Sequence, residues 1–229
     1  MSLLLAKKPT PRPIEMLSSQ LKLSPRGKDT KMRVTEAALS LFASHGFDGV
    51  STSDIAAVVG IKQPNIHYYF STKEDLWKSA MRLLSDQAER SARKIGIPTM
   101  LEGMDPLAAL KVLSSALHYV SRDVPALGKI ILREGVSGGD RLEWLVEEVF
   151  KDSYARFRLL IERCIEEKRI KPYRPHQILF LLHTAAVSYY NLGSLVNSAF
   201  EADPMDEDVS SEYCELYLDV MFSGLELRE

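Results

Sequence analysis

The sequence predicts an all-α protein of about nine helices, and three observations carry that reading. Apolar residues recur three and four positions apart through most of the chain beyond residue 27. Helix punctuation divides those stretches: prolines at helix starts, glycines just past helix ends, and Ser or Thr three residues before an acidic residue. No alternating β-branched run bounded by turn residues is present, so no strand is predicted.

Residues 1–25 contain Pro9, Pro11, Pro13 and Pro25 among Lys7, Lys8, Arg12 and Lys22, and lack an apolar period. They are expected to form a flexible basic arm, able to touch DNA or to remain an idle tail. The first helix is expected from about Gly27 to His45. Val34, Ala37, Ala38, Leu41 and Phe42 share one face, Asp29 stands in the first turn, and Gly46 follows the last as a left-handed stop. Ser51 to Asp54 has the spacing of a capping box and should open a short second helix with Ile55, Ala56 and Val59 inward. Gly60 ends it. Gln63-Pro64 opens a third, because proline at the first helical position loses only an N–H that has no helical partner. Ile66 and Phe70, four apart, point into the core. Ser71 to Glu74 is a second capping signal, opening a long helix to about Lys94.

Gly96, Pro98 and Gly103 mark a loop, and the two functional parts are expected to divide near it, bridged by the long helix. Downstream, Asp105-Pro106 opens a helix to about Val120, and Asp123-Val124-Pro125 another that breaks at Gly135 to Gly139. One long helix is expected over 140–168, a very apolar one from Pro175 to about Phe200, and a last one after the acidic stretch 201–208, ending near Leu225. The domain reading is an arm at 1–25, a helix-turn-helix domain at 26–75 and a helical effector-binding and dimerisation domain at 76–229.

Composition narrows the function classes. At 45% hydrophobic and 26% charged, the 229 residues can bury a core without disulfide or metal staples. Cys164 and Cys214 are far apart and form no CxxC pair, so both are expected to be buried packing thiols of a reducing, cytoplasmic protein. The most apolar run, Ile178 to Val187, is about half the length of a membrane span. Residues 1–95 carry 15 Lys and Arg against 9 Asp and Glu, whereas the remainder carries 14 against 22. A basic front and an acidic back suggest that the front meets a polyanion. No nucleotide-binding glycine pattern, zinc-protease motif or nucleophile elbow is present, so neither an enzyme, a cofactor nor a metal is expected.

An amphipathic helix followed by two short helices around Val59-Gly60-Ile61 makes a helix-turn-helix unit. The second short helix gathers Gln63, Asn65, His67, Tyr68 and Tyr69, too many large polar-tipped residues to turn inward together on two turns. Gln and Asn pair with adenine edges in the major groove. Tyr hydroxyls and Lys73 can hold phosphates, and Ser51 and Thr52 stand at a helix N-terminus that attracts them. Tyr69 is the member expected to be partly core. A helical protein-interaction module is the alternative, and it has no need of this cluster.

From Lys31 to Leu76 the chain resembles the DNA-binding domain of TetR-type transcriptional regulators. The resemblance rests on Ala37 to Phe42, Gly46-Phe47, Ser51 with Asp54-Ile55-Ala56, Gly60-Ile61, Ile66 to Phe70, and Thr72 to Leu76. It implies an all-helical homodimer, a palindromic double-stranded DNA operator, a divergent C-terminal domain that senses a small molecule, and repression more often than activation. Carried over by position, it places Thr52 and Ser53 beside the DNA backbone, Gln63, Pro64 and Asn65 at bases, and His67, Tyr68, Tyr69 and Lys73 at phosphates or bases. The family usually carries Tyr where His67 stands and His where Tyr69 stands, and often a longer donor than Ser53.

In the last helix, Tyr213, Leu216, Tyr217, Val220, Met221 and Gly224 fall on one face, and together with the Ile178 to Val196 stretch they are expected to pair two subunits. His118, Trp144, Tyr154, His183 and Tyr190 are polar or aromatic residues within apolar helices and are the candidates for lining an effector pocket.

Overall fold

A computed structural model describes residues 30–94 and 103–227. The basic arm, the start expected for the first helix at Gly27, Asp29, and the loop residues Gly96 and Pro98 lie outside the described residues. Contacts divide the chain into two units, one up to Leu83 and one from Leu84. Among the described residues there is no strand, only an isolated bridge between Ile170 and Glu226.

The first unit is built on α1 (Thr30–His45), α2 (Thr52–Val59), α3 (Pro64–Tyr69) and the start of α4 (Lys73–Lys94). The predicted face of α1 is sealed, with Val34, Ala37, Ala38, Leu41 and Phe42 fully buried. Burying a large apolar side chain contributes about 1.5–3 kcal/mol each, so this face alone fixes how α1 sits. Gly46 (φ 77°) stops α1 and Gly60 (φ 76°) stops α2; both occupy the left-handed region that a Cβ disfavours. The capping box of α2 is complete: the Asp54 amide donates to Ser51 Oγ at 3.2 Å, and the Ser51 amide to Asp54 Oδ2 at 2.9 Å. Arg33 Nη2 donates to the Val59 carbonyl at 3.0 Å, tying α1 to the end of α2. Phe47 stacks on Phe42 and meets Trp77 edge-on, closing the core against α4. The second capping signal falls one residue later than expected. Thr72 and Asp75 exchange the two bonds at 3.0 Å each, so α4 begins at Lys73 with Glu74 as well as Asp75 in its first turn.

The second unit contains the end of α4 and seven further helices: α5 (Pro106–Asp123), α6 (Pro125–Ser137), α7 (Asp140–Leu145), α8 (Lys151–Glu166), α9 (Pro175–Asn191), α10 (Gly193–Phe200) and α11 (Glu207–Leu225). Proline opens α5, α6 and α9 at the expected positions. Two expectations of single long helices are corrected. The stretch 140–168 holds a π-helical turn, Val146–Phe150, between α7 and α8. The stretch from Pro175 to Phe200 bends by 64° at Leu192, so α10 leaves the line of α9. Periodicity did not reveal either break, because neither carries a proline and apolar residues continue on both sides.

The core of this unit gathers Leu110 of α5, Ile161 and Cys164 of α8, Leu182 and Ala186 of α9, and Tyr217 and Phe222 of α11. Gly128 lets α6 lie against α9: a Cβ there would stand 2.3 Å from Asn191 Nδ2 and 2.5 Å from Val187 Cγ1. Tyr213 donates to the Ala185 carbonyl at 2.7 Å and Tyr217 to that of Leu182 at 3.3 Å, so α9 and α11 run antiparallel. The predicted stripe of α11 therefore splits: Tyr217 is buried, while Leu216 and Val220 are exposed. Both cysteines are buried free thiols, and burial pushes Cys164 up to about 11.

Candidate nucleic-acid interface

The interface is assembled from the two short helices of the first unit. α3 has only six residues and anchors itself by Ile66 and, at its end, Phe70, both buried. Everything else on it except Tyr69 is exposed: Pro64, Asn65, His67 and Tyr68, with Gln63 just ahead. Tyr68 is 84% exposed. Tyr69 is half-buried, as expected, and its ring meets that of Tyr68 edge-on at 5.0 Å.

The start of α2 faces the start of α3. Gln63 Nε2 donates to Thr52 Oγ1 at 3.0 Å, which orients the Gln63 amide and leaves its carbonyl oxygen able to accept. Ser51 Oγ donates to Asp54 Oδ2 at 2.6 Å and accepts from the Asp54 amide, so this hydroxyl works as the helix cap. Ser53 is exposed one turn position further on. Lys73 Nζ lies 4.2 Å from the centroid of the Phe47 ring, a cation–π contact that holds the ammonium at the mouth of α4. A concavity of about 490 Å³ is lined by Asp48, Thr52, Gln63, His67 and Lys73 among others. The structure thus brings Thr52, Gln63, His67 and Lys73 around one hollow, with Asn65 and Tyr68 exposed on the same short helix.

Chemically, the assembly offers an oriented amide, a hydroxyl, an imidazole and an ammonium on a rigid support, next to a helix N-terminus. Such donors suit phosphate oxygens and base edges. Lys62 was not singled out from the sequence; it is exposed in the turn immediately before Gln63. Its position between the two glycine-hinged helices was the available signal. A second hollow of about 380 Å³, lined by Lys31, Tyr69, Ser71, Lys78 and Arg82, also escaped notice, because its residues come from three separate stretches.

The effector candidates form two groups within the second unit. His118 is fully buried, and its Nε2 stands 3.1 Å from the Ser210 carbonyl and 2.8 Å from Tyr190 Oη. Tyr190 Oη also lies 2.8 Å from Ser210 Oγ. Burial pushes His118 down to about 4 and Tyr190 up to about 12. Tyr154 and His183 meet edge-on at 6.4 Å, with Phe150 stacked on Tyr154 and Phe180 tilted against both. Burial lowers the His183 pKa and raises that of Tyr154. Trp144 is half-buried on α7. Among the described residues no group of three or more His, Cys, Asp or Glu could hold a metal ion, and no single helix is long and apolar enough to cross a membrane.

Comparison with known proteins follows this division. Residues 34–87 match the family described as bacterial regulatory proteins, tetR family, and residues 96–228 match the C-terminal region of YcdC-like proteins. The chain is 25% identical over 201 residues to the HTH-type transcriptional regulator RutR of Escherichia coli K12, covering 86% of this chain and 91% of RutR. The ketosteroid transcriptional regulator KstR2 of Mycobacterium tuberculosis superposes with a TM-score of 0.64 at 18% identity, over 90% of this chain and 100% of that one. The hemolysin II transcriptional regulator HlyIIR gives 0.64 at 16% identity, over 87% and 98%.

Proposed function

The chain belongs to the TetR family of bacterial regulatory proteins and is a DNA-binding transcriptional regulator, and we propose that it is a homodimeric, ligand-responsive repressor that reads a palindromic operator in the cytoplasm through α3. One observation carries the assignment of the reading surface: α3 buries Ile66 and exposes Gln63, Asn65, His67 and Tyr68. Gln63 and Asn65 face adenine edges, and Pro64 lets the helix start close to the bases. Thr52, Ser53, His67, Tyr69, Lys73 and the cap at Ser51 meet the backbone, where contacts set register without reading sequence. Tyr68 lies over a base or the adjoining sugar-phosphate.

A palindrome requires two copies with recognition helices about 34–36 Å apart. Apolar surface left on α9 and α11 supplies the seam: Phe180, Leu181, Leu216 and Val220 are each more than half exposed in the single subunit. Two helices from each subunit make a four-helix interface, a geometry that buries apolar stripes efficiently.

The effector binds in the second unit. Tyr154 and His183 fit the role best, since they join an aromatic group beside the apolar core and no side-chain hydrogen bond of either is found among the described residues. They suit a mainly apolar ligand with one or two polar atoms. An effector reaching His118 or Tyr190 has to displace their bonds with Ser210.

The test is binding of a labelled duplex, selected by the protein itself from a random pool, followed by fluorescence anisotropy. Wild type should bind with an affinity that falls steeply with salt. Asn65→Ala with Tyr68→Ala should lose at least about 100-fold, since each base contact is worth about 1–3 kcal/mol. Unchanged affinity in that variant rejects α3 as the reading helix.

A further inference from the structure

The 26 residues from Pro175 to Phe200 contain no Asp, Glu, Lys or Arg. α9 accounts for part of this, since it buries Ile178, Leu182 and Ala186 in the core. α10 accounts for none of it. No residue of α10 is buried, and Leu195 is 61% and Phe200 76% exposed. Exposed helices carry charge, and interface cores are depleted of it.

The exposed positions do not stop at the bend. Leu181 and Thr184 on α9 lead through half-buried Ser188 to exposed Leu192 and Leu195. Up to the bend these spacings of three and four are those of a helix–helix seam, and beyond it exposed Leu192, Leu195 and Phe200 keep the surface apolar. Glu201, in the left-handed region at φ 55°, ends α10, its amide donating to the Asn197 carbonyl at 2.9 Å.

We infer that α10 is a preset arm that seats on a second copy of this chain and extends the dimer seam of α9 and α11. The inference rests on the homodimer proposed above and adds a contact to it. Charge supports this occupant. Exposed Glu201, Asp203, Asp206, Glu207 and Asp208 follow the arm, and exposed Lys168 and Arg174 precede α9. The two-fold we infer lies across the α9–α10 stretch, an isologous arrangement that sets the acidic end of one arm beside Lys168 and Arg174 of the partner subunit. Area supports it too. At roughly 100 Å² apiece, Phe180, Leu181, Leu216 and Val220 supply about half of the ~800 Å² per partner in a standard interface. Leu192, Leu195, Phe200 and Met205, each at least half exposed, supply a similar amount. The same acidic run disfavours the other apolar partner, a membrane surface, because anionic headgroups repel it.

The test is sedimentation equilibrium of the full chain, with Leu195→Glu plus Phe200→Glu as the arm variant. Both side chains are exposed in the single subunit, so its helical signal should be unchanged. Wild type should dimerise, and the arm variant's dissociation constant should rise by on the order of 10- to 100-fold. Arg174→Glu should weaken the dimer, and adding Glu201→Arg should restore it. A dimeric wild type with an equally tight arm variant overturns the arm and leaves the dimer standing. A monomeric wild type overturns the dimer itself. Flotation of wild type but not the arm variant with phosphatidylcholine vesicles, at unchanged dimer affinity, assigns α10 to membrane and overturns the proposal.

Discussion

Acidification should destabilise the second unit through His118. Its imidazole is fully buried and is pushed down to about 4, from an ordinary value of 6.5, chiefly by desolvation. The unfolded chain therefore binds the proton more readily than the folded one between those two values. Stability contributed by the neutral ring is complete above about pH 6.5 and drains away as pH falls toward 4. Of the roughly 3 kcal/mol implied by the full shift, about 2 kcal/mol is lost between pH 7 and pH 5. For a chain of this size that lowers Tm by about 4–8 °C. Other groups titrate in the same window, so the comparison is with His118→Gln, which keeps a side-chain donor toward the Ser210 carbonyl and lacks the ring proton. Thermal unfolding followed by circular dichroism at both pH values gives the two differences. Wild type should lose several degrees more than the variant. Equal losses would refute the reasoning, and would mean that His118 is hydrated or charged in the folded protein.

Gly128→Ala places a methyl group against Asn191 and Val187; overpacking of about 1–3 kcal/mol should appear as a lower midpoint in urea with an unchanged slope. Ser51→Ala removes the cap of α2 and should cost about 1 kcal/mol by the same measurement, with a further loss of DNA affinity because α2 supports α3. Lys73→Gln should reduce the slope of log affinity against log salt by roughly 0.9 per subunit, while leaving the preferred duplex sequence unchanged, since a phosphate contact carries no base information.

The first unit was legible almost residue by residue. Short helices are fixed by local chemistry, and here that chemistry is written out: Ser51 with Asp54, Gly46 and Gly60 at positive φ, and Pro64 at a helix start. The polar cluster on α3 could be read because two anchors, Ile66 and Phe70, fill the inward positions and force the rest outward. The cap at α4 slipped by one because Ser71-Glu74 and Thr72-Asp75 offer the same spacing, and only the backbone decides between them. In the second unit, periodicity gave the helices but not their bends. The π-helical turn and the break at Leu192 leave the apolar pattern running on, so one-dimensional spacing does not show them. The same limit applied to the stripe of α11, where Tyr217 turns inward to Leu182 and Leu216 does not. Tyr190 and His118 could be flagged as polar groups in apolar helices, but their shared partner Ser210 lies 92 residues from His118 and had no signal of its own.

The central claim is that the exposed face of α3 meets the duplex, and hydroxyl-radical footprinting of the protein tests it directly. Tyr68 is 84% exposed, and Tyr173 in the second unit, at 53%, serves as an internal reference. With the selected duplex bound, oxidation of Tyr68 should fall several-fold relative to Tyr173. If Tyr68 oxidises as fast in the complex as in the free protein, α3 does not face the DNA.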